Sequence, residues 1–301
     1  MPWMRQERRV LALIITYEAP AELASSLPRV ADQVERVVVV DDGSQFRRIS
    51  DLGVAEIHHL PANGGIAAAL NYGMRRCAAL GATHVLTLDQ DTRIPQGYVS
   101  NLLTFWDQAT SAGLEPAVMG ARWFGVHTYP GHKIGSLIKV DEVVQSGTLF
   151  CLNDLRMIGF FDESLVIDGV DADVCLKISA SGKSVLAAPL AIDHPIGETR
   201  HMKLCGHTVA STNHPPFRRY YIVRNRLRLV GRHGGRKPRW AALTLRRLLI
   251  GTLLSITVET RRRENALAAM RGARDALLGR TGSLDPRVRR EWGQNTLGRV
   301  R

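Results

Sequence analysis

The chain has 301 residues, 45% of them apolar and 23% charged, so it can bury a full core and is neither disordered nor fibrous. Its net charge of +12 is unevenly placed: residues 215–301 hold 22 Lys and Arg against five Asp and Glu, and residues 1–214 carry a small acidic excess. Four scattered cysteines (Cys77, Cys151, Cys175, Cys205) with no Cys-x-x-Cys pair speak against a zinc knuckle or a disulfide framework.

The apolar run Val10–Ile15 is too short for a signal segment and passes into a polar turn, so it is expected to be a first strand of a chain that is not exported. Val37–Val40, Glu56–Leu60 and His84–Leu88 follow as strands. Helical spacing covers 20–31 and 66–79, and 95–109 begins with a proline suited to a helix start. Strand–helix alternation of this kind implies a mainly parallel sheet flanked by helices, with ligands at the carboxyl ends of the strands. Residues 107–147 read as loop-rich. A helix around 170–179 and a strand around 184–188 come next, and from Pro215 the composition turns to Arg-rich helix. A catalytic domain over 1–214 and a basic helical region over 215–301 are the expected divisions.

Several clusters fall at strand ends. Asp41-Asp42-Gly43-Ser44 closes a four-valine strand, where carboxylates can accept from a base N–H or ribose hydroxyls; an Asx turn is the plainer alternative. Asp89-Gln90-Asp91 closes another, and one carboxylate of such a pair can hold a hard divalent cation while the other orients ribose or a water ligand. Asn63-Gly64-Gly65 opens a helix bearing Asn71 and Gly73, whose free N–H groups can hold phosphate; a turn before a buried Ala-rich helix is the alternative. Asp162, Glu163, Asp168, Asp171 and Asp173 lie among apolar residues, where buried acids are costly. Asp171 at a helix start can take a proton from an attacking hydroxyl, whereas Asp162 or Asp173 can cap and Asp173 can pair with Lys177. His194 follows a strand and can complete a metal site begun by Asp91. Arg219, Tyr220, Arg224 and Asn225 suit a diphosphate, or else form a basic helix face.

Together, Thr16-Tyr17-Glu18, Asp41-Asp42-Gly43-Ser44, Asn63-x-Gly65, Asn71-x-Gly73, Asp89-Gln90-Asp91, Ser146-Gly147, Asp162-Glu163 and Asp171-x-Asp173 stand in the order of the inverting family 2 glycosyltransferases, which the chain resembles over about Val10 to Asn225. Gln90 between the aspartates, the run Val166 to Asp171, and the stretch from His194-Pro-Ile-Gly197 to Arg219-Tyr220-Tyr221-x-x-Arg224-Asn225 resemble bacterial rhamnosyltransferases of polysaccharide assembly.

The resemblance implies an A-type glycosyltransferase fold, a dTDP-β-L-rhamnose donor, a divalent metal (Mg2+ or Mn2+) and inversion at the anomeric carbon. It places Asp41 and Asp42 at the base turn, Asp89 and Asp91 on the metal with Asp91 the direct ligand, and Asp171 as general base. Thr16, Tyr17, Glu18, Asn63, Gly65, Asn71, Gln90, Gly147 and Asp168 fall among donor and acceptor contacts. Glu18 stands where the family often has Asn, and Lys177 where it often has Arg. Galactofuranosyl and other hexosyl transferases share much of the pattern.

In the tail, the eleven-residue run 248–258 is too short to span a bilayer and lies beside arginines, as in a helix lying in a membrane interface; packing on the catalytic domain or a dimer contact is the alternative. The expectation is therefore a cytoplasmic enzyme, peripheral on the inner face of the membrane, acting on a glycolipid or polysaccharide acceptor, with oligomeric state open. A nucleic-acid-binding protein would also be basic, but no zinc module, aromatic RNA-binding signature or helix-turn-helix is seen. A subunit that binds nucleotide sugar without turnover would not need acids at 41, 42, 89, 91 and 171.

Overall fold

The computed structural model describes residues 8–20, 22–46, 53, 55–124, 127–193, 200–204, 207–211 and 213–293. They fall into two compact units, one of Met1–Phe161 with Val174–Pro195, the other of Asp162–Asp173 with Ile196–Arg301. The segment 162–173 thus groups with the C-terminal helices.

In the first unit, β1 (Val10–Thr16), α1 (Leu23–Ala31), β2 (Arg36–Asp41), β3 (Ala55–His59), α2 (Ile66–Ala79), β4 (His84–Asp89) and α3 (Tyr98–Ser111) alternate as the periodicity implies. The strands β3-β2-β1-β4 lie side by side and parallel. Every residue of β1 is buried, as a strand covered on both faces requires. Ala12, Ile14, Val37, Val39, Leu86 and Leu88 pack with Leu27 and Val30 of α1 and Leu102 and Trp106 of α3. On the opposite face α2 approaches so closely that a Cβ at Gly73 would stand 2.2 Å from Leu13 Cδ1.

Beyond β4 the sheet becomes mixed. β5 (Pro116–Phe124), β6 (His127–Thr128), β7 (His132–Ile134) and β8 (Leu137–Lys139) run through the stretch expected to be loop-rich, and β9 (Thr148–Cys151) follows it. The strand order runs β3-β2-β1-β4-β9-β5-β10-β8-β7, with β6 on β5 and β10 being Ser184–Ile192. β9 is antiparallel to both β4 and β5, whereas β5 and β10 are parallel. The parallel character read from the sequence holds for the first four strands and returns in the pair β5 and β10. β5 escaped notice because Pro116, Gly120, Arg122 and Trp123 break its apolar pattern, yet its first six residues are buried. α4 (Leu152–Met157) follows β9, and α5 (Val170–Ala180) precedes β10.

The second unit holds the hairpin β11 (Arg200–Leu204) and β12 (His207–Ser211), then α6 (Pro216–His233), α7 (Pro238–Thr257), α8 (Arg262–Leu277) and α9 (Pro286–Glu291). Val166, Phe217, Tyr220, Tyr221, Ala268, Leu284 and Trp292 form its apolar core. α7 extends well upstream of the apolar run at 248–258. At 20 residues it is long and apolar enough, by length and composition alone, to cross a membrane.

Candidate active site

Strand register explains why acids far apart in sequence meet at one edge. Thr16 pairs with Asp41 across β1 and β2, and Ile15 pairs with Asp89 across β1 and β4. Asp41 and Asp89 thus end strands on either side of β1, about 10 Å apart at the usual strand spacing. Thr16, Tyr17, Glu18, Asp41, Asp42, Asn63, Gly65, Asp89, Gln90, Asp91 and Gly147 all belong to the strand ends and loops of this edge.

Their tasks differ. The carboxylate of Asp42, almost wholly buried, accepts from Gly64 N–H at 2.8 Å and from Gly65 N–H at 2.9 Å. It latches the turn that starts α2, where Gly65 has φ +91°. Asp41 is also buried and accepts from the Ser44 hydroxyl, with His59 Nδ1 at 3.0 Å from its other oxygen. Gly43 is required here: a Cβ would lie 2.4 Å from the Ala62 carbonyl carbon, and its φ is +71°. Glu18, at φ +48°, donates its N–H to Ser44 Oγ and accepts from Gln45 N–H through Oε1. Tyr17 N–H donates to Gln90 Oε1 at 2.9 Å, tying the end of β1 to the end of β4.

At β4, Asp89 accepts from Gln145 Nε2 at 2.5 Å, and its N–H donates to Ser146 Oγ at 2.8 Å. Gly147, with φ +75°, donates to the Thr87 carbonyl and accepts from the Tyr98 hydroxyl. Asp91 is exposed. With Gln90, Arg93, Asp193, Pro20 and Glu22 it lines a cavity of about 340 Å3. Arg93 and Asp193 exchange backbone hydrogen bonds of 2.9 and 3.1 Å, which brings the end of the β10 segment beside Asp91. His194 lies outside the described residues. Among the described residues no three His, Cys, Asp or Glu side chains group as a metal cage. Asp91 still fits a hard cation that takes its remaining oxygens from substrate phosphates and water.

Asn71 sits away from this edge. Its amide donates to the Phe161 carbonyl and accepts from Phe161 N–H, both at 3.0 Å, pinning the chain that follows α4. Its side-chain amide thus locks the Phe161 peptide. His59 and Gln145 were missed by the sequence reading. His59 is the register partner of Asp41, and Gln145 immediately precedes the Ser146-Gly147 pair.

In the second unit, the segment bearing Asp168 and Asp171 turns through three left-handed residues: Val166 (φ +68°), Asp168 (+62°) and Gly169 (+85°). For a β-branched residue that conformation is costly and must be held in place. Asn225 holds it: its Nδ2 lies 2.8 Å from each of the Leu165, Ile167 and Asp168 carbonyls. Arg224, 1% exposed, donates to the Ser164, Leu165 and Gly282 carbonyls and to Asn225 Oδ1, with Tyr220 and Tyr221 against its guanidinium.

Asp168 takes a two-point ion pair from Arg218. Burial pushes its carboxyl up, but the guanidinium outweighs that and holds it below the usual range. Arg219 is buried against Glu259, and the Tyr220 hydroxyl donates to Asp275. Arg219, Tyr220, Arg224 and Asn225, read from sequence as a diphosphate cluster, are therefore buried and bonded within their own unit, because α6 forms its interior. Asp162 caps the 3-10 turn Glu163–Leu165 through Ser164 N–H. Asp173 pairs with Arg232 at 2.9 Å and His233 at 3.1 Å rather than with Lys177, whose Nζ donates to the Phe160 carbonyl. Asp171 stands in the first turn of α5 and accepts from Ala172 N–H.

A mixed sheet with acids at the carboxyl edge of its parallel strands, beside a cavity, defines an α/β protein with a candidate ligand edge. The chain belongs to Glycosyl transferase family 2, whose profile matches residues 12–163, and it is a glycosyltransferase. It is 28% identical over 238 residues, 73% of this chain and 79% of the relative, to the dTDP-rhamnosyl transferase RfbF of Shigella flexneri. Among solved structures it is similar to S. aureus TarS 1-349 in complex with UDP-GlcNAc (TM-score 0.56, 16% identity, 86% of this chain and 79% of that one). It is also similar to GalNAc-T7 with UDP, GalNAc and Mn2+ (TM-score 0.55, 11% identity, 75% of this chain); the match spans about half of that protein, 48%. At these identities the structural likeness speaks to the fold.

Proposed function

We propose that this enzyme transfers a sugar, L-rhamnose from dTDP-β-L-rhamnose, with inversion to a hydroxyl of a lipid-linked or polysaccharide acceptor. The observation that supports it is the cavity beside Gln90 and Asp91, at the strand edge shared with Asp41 and Asp89. Likeness to a dTDP-rhamnosyl transferase favours the donor.

In this reading Asp91, with Asp89 beside it, holds a Mg2+ or Mn2+ ion, which when bound offsets negative charge developing on the leaving diphosphate. The turns at 16–18 and 41–44 shape the base and ribose pocket. Asp171 takes the proton of the attacking hydroxyl, and a single displacement then needs no enzyme nucleophile. Asp168, Arg224 and Asn225 position the chain around Asp171.

Purified enzyme given Mg2+ or Mn2+ and a panel of nucleotide sugars is expected to release nucleotide from dTDP-rhamnose and to stop on chelation. Turnover of a UDP-hexose instead would move the enzyme to the galactofuranosyl or hexosyl branch. Asp171→Asn is expected to lower kcat about 10²- to 10⁴-fold; full transfer by that variant would remove Asp171 from the role of base.

A further inference from the structure

Two of the C-terminal helices bury mostly small and polar residues and turn leucines outward. On α7 the buried positions are Trp240, Ala241, Thr244 and Ser255, whereas Leu243, Leu245, Leu249, Ile250 and Leu253 are exposed, Leu249 by 72%. On α8 the buried positions are Asn265, Ala268, Ala269, Gly272 and Asp275, and Leu267, Met270, Leu277 and Leu278 are exposed, Leu277 by 87%. A helix on the surface of a protein surrounded by water shows the reverse pattern. Three of the buried polar side chains are bonded inside the unit: Asn265 donates to Glu259 at 2.9 Å, Ser255 to the Thr252 carbonyl, and Asp275 accepts from Tyr220.

The charge around these leucines has one sign. α7 contains no Asp or Glu, and Arg239, Arg246 and Arg247 are exposed along its first half, followed by a charge-free stretch to Thr257. Arg262 and Arg263 are exposed at the start of α8, and its two acids, Glu264 and Asp275, are paired with Arg261 and Arg274. On the side of α8, Leu267, Met270 and Trp292 line a groove of about 460 Å3 edged by Arg271 and Arg274.

We propose that these outer faces of α7 and α8 are a docking surface for an anionic lipid bilayer. The leucines enter the acyl boundary, and the guanidinium groups reach the phosphates on their flexible stems. Nucleic acid offers the phosphates without an apolar phase for the leucines. A two-fold contact of this face with a second copy would set arginines against arginines. α7 lies in the surface rather than crossing it, because Arg246 and Arg247 interrupt its middle and one face is packed inside its own unit.

The inference deepens the proposed function by placing the enzyme where lipid-linked acceptors lie, but vesicle binding is measured without donor or acceptor. The full chain is expected to co-sediment with phosphatidylglycerol–phosphatidylethanolamine vesicles and about tenfold or more weakly with phosphatidylcholine alone. Leu249→Glu with Leu253→Glu is expected to lose retention on either vesicle, with an unchanged melting temperature and unchanged donor turnover in solution. Arg246→Glu with Arg247→Glu is expected to lose the preference for phosphatidylglycerol. Undiminished retention of the leucine variant overturns the proposal, and so does a wild-type protein that ignores vesicles and forms a dimer which that variant dissociates. Loss of donor turnover with intact vesicle binding counts against the proposed function alone.

Discussion

Asp42 and Asp91 lie in the loops after β2 and β4, the strands on either side of β1, and their surroundings give them opposite sensitivities. Asp42 answers the N–H groups of Gly64 and Gly65, the second of them buried, so Asp42→Ala leaves both without their acceptor and is expected to cost about 1–3 kcal/mol, read as a lowered melting temperature. Asp91 is exposed, so Asp91→Ala is expected to melt like the parent and to lose metal-supported turnover. Asn225→Leu tests the clamp on the 165–169 turn. Its three carbonyl partners would lose their donor, and kcat is expected to fall further than KM rises, because the turn bears Asp168 and leads to Asp171.

His84 adds a pH dependence. It is buried against Trp106, and burial, with Arg8 nearby, pushes its pKa down from 6.5 to about 4. The folded chain thus takes up its proton later than the unfolded one. The stability is complete above pH 6.5 and is lost as pH falls toward 4, with an upper figure of about 3 kcal/mol. Melting temperature followed across that window is expected to fall less steeply in His84→Gln than in the parent.

At the scale of elements, close approach decides more than propensity. α2 lies against β1 through Gly73, and Gly73→Ala is expected to cost about 1–3 kcal/mol in thermal melts as Leu13 is displaced. The first three helices and four strands were legible because their periods are clean and their ends carry turn residues. β5 was not, since a Pro, a Gly and an Arg disguise a strand whose burial comes from β9 and β10, its neighbours in space. The tetrad Arg219, Tyr220, Arg224 and Asn225 is ambiguous for a related reason. Residue types that suit phosphate also suit buried carbonyls, and only the packing of α6 tells which they meet. Glu18 shows the reverse case: the family's usual Asn tolerates the left-handed backbone found there, and Glu compensates by accepting from Gln45 N–H.

For the whole molecule, membership of the glycosyltransferase family and the acids of the strand edge could be read from residue order, because short motifs at strand ends are local and each states its own chemistry. Strand register is not local. It was the pairing of Thr16 with Asp41 and of Ile15 with Asp89 that brought two distant carboxylates level on either side of β1. The charge of the tail was likewise plain in composition, whereas the direction of its leucines was not. A helix period shows that two faces exist, and the neighbours it packs against choose which one turns inward. Here they chose the one with mostly small and polar residues.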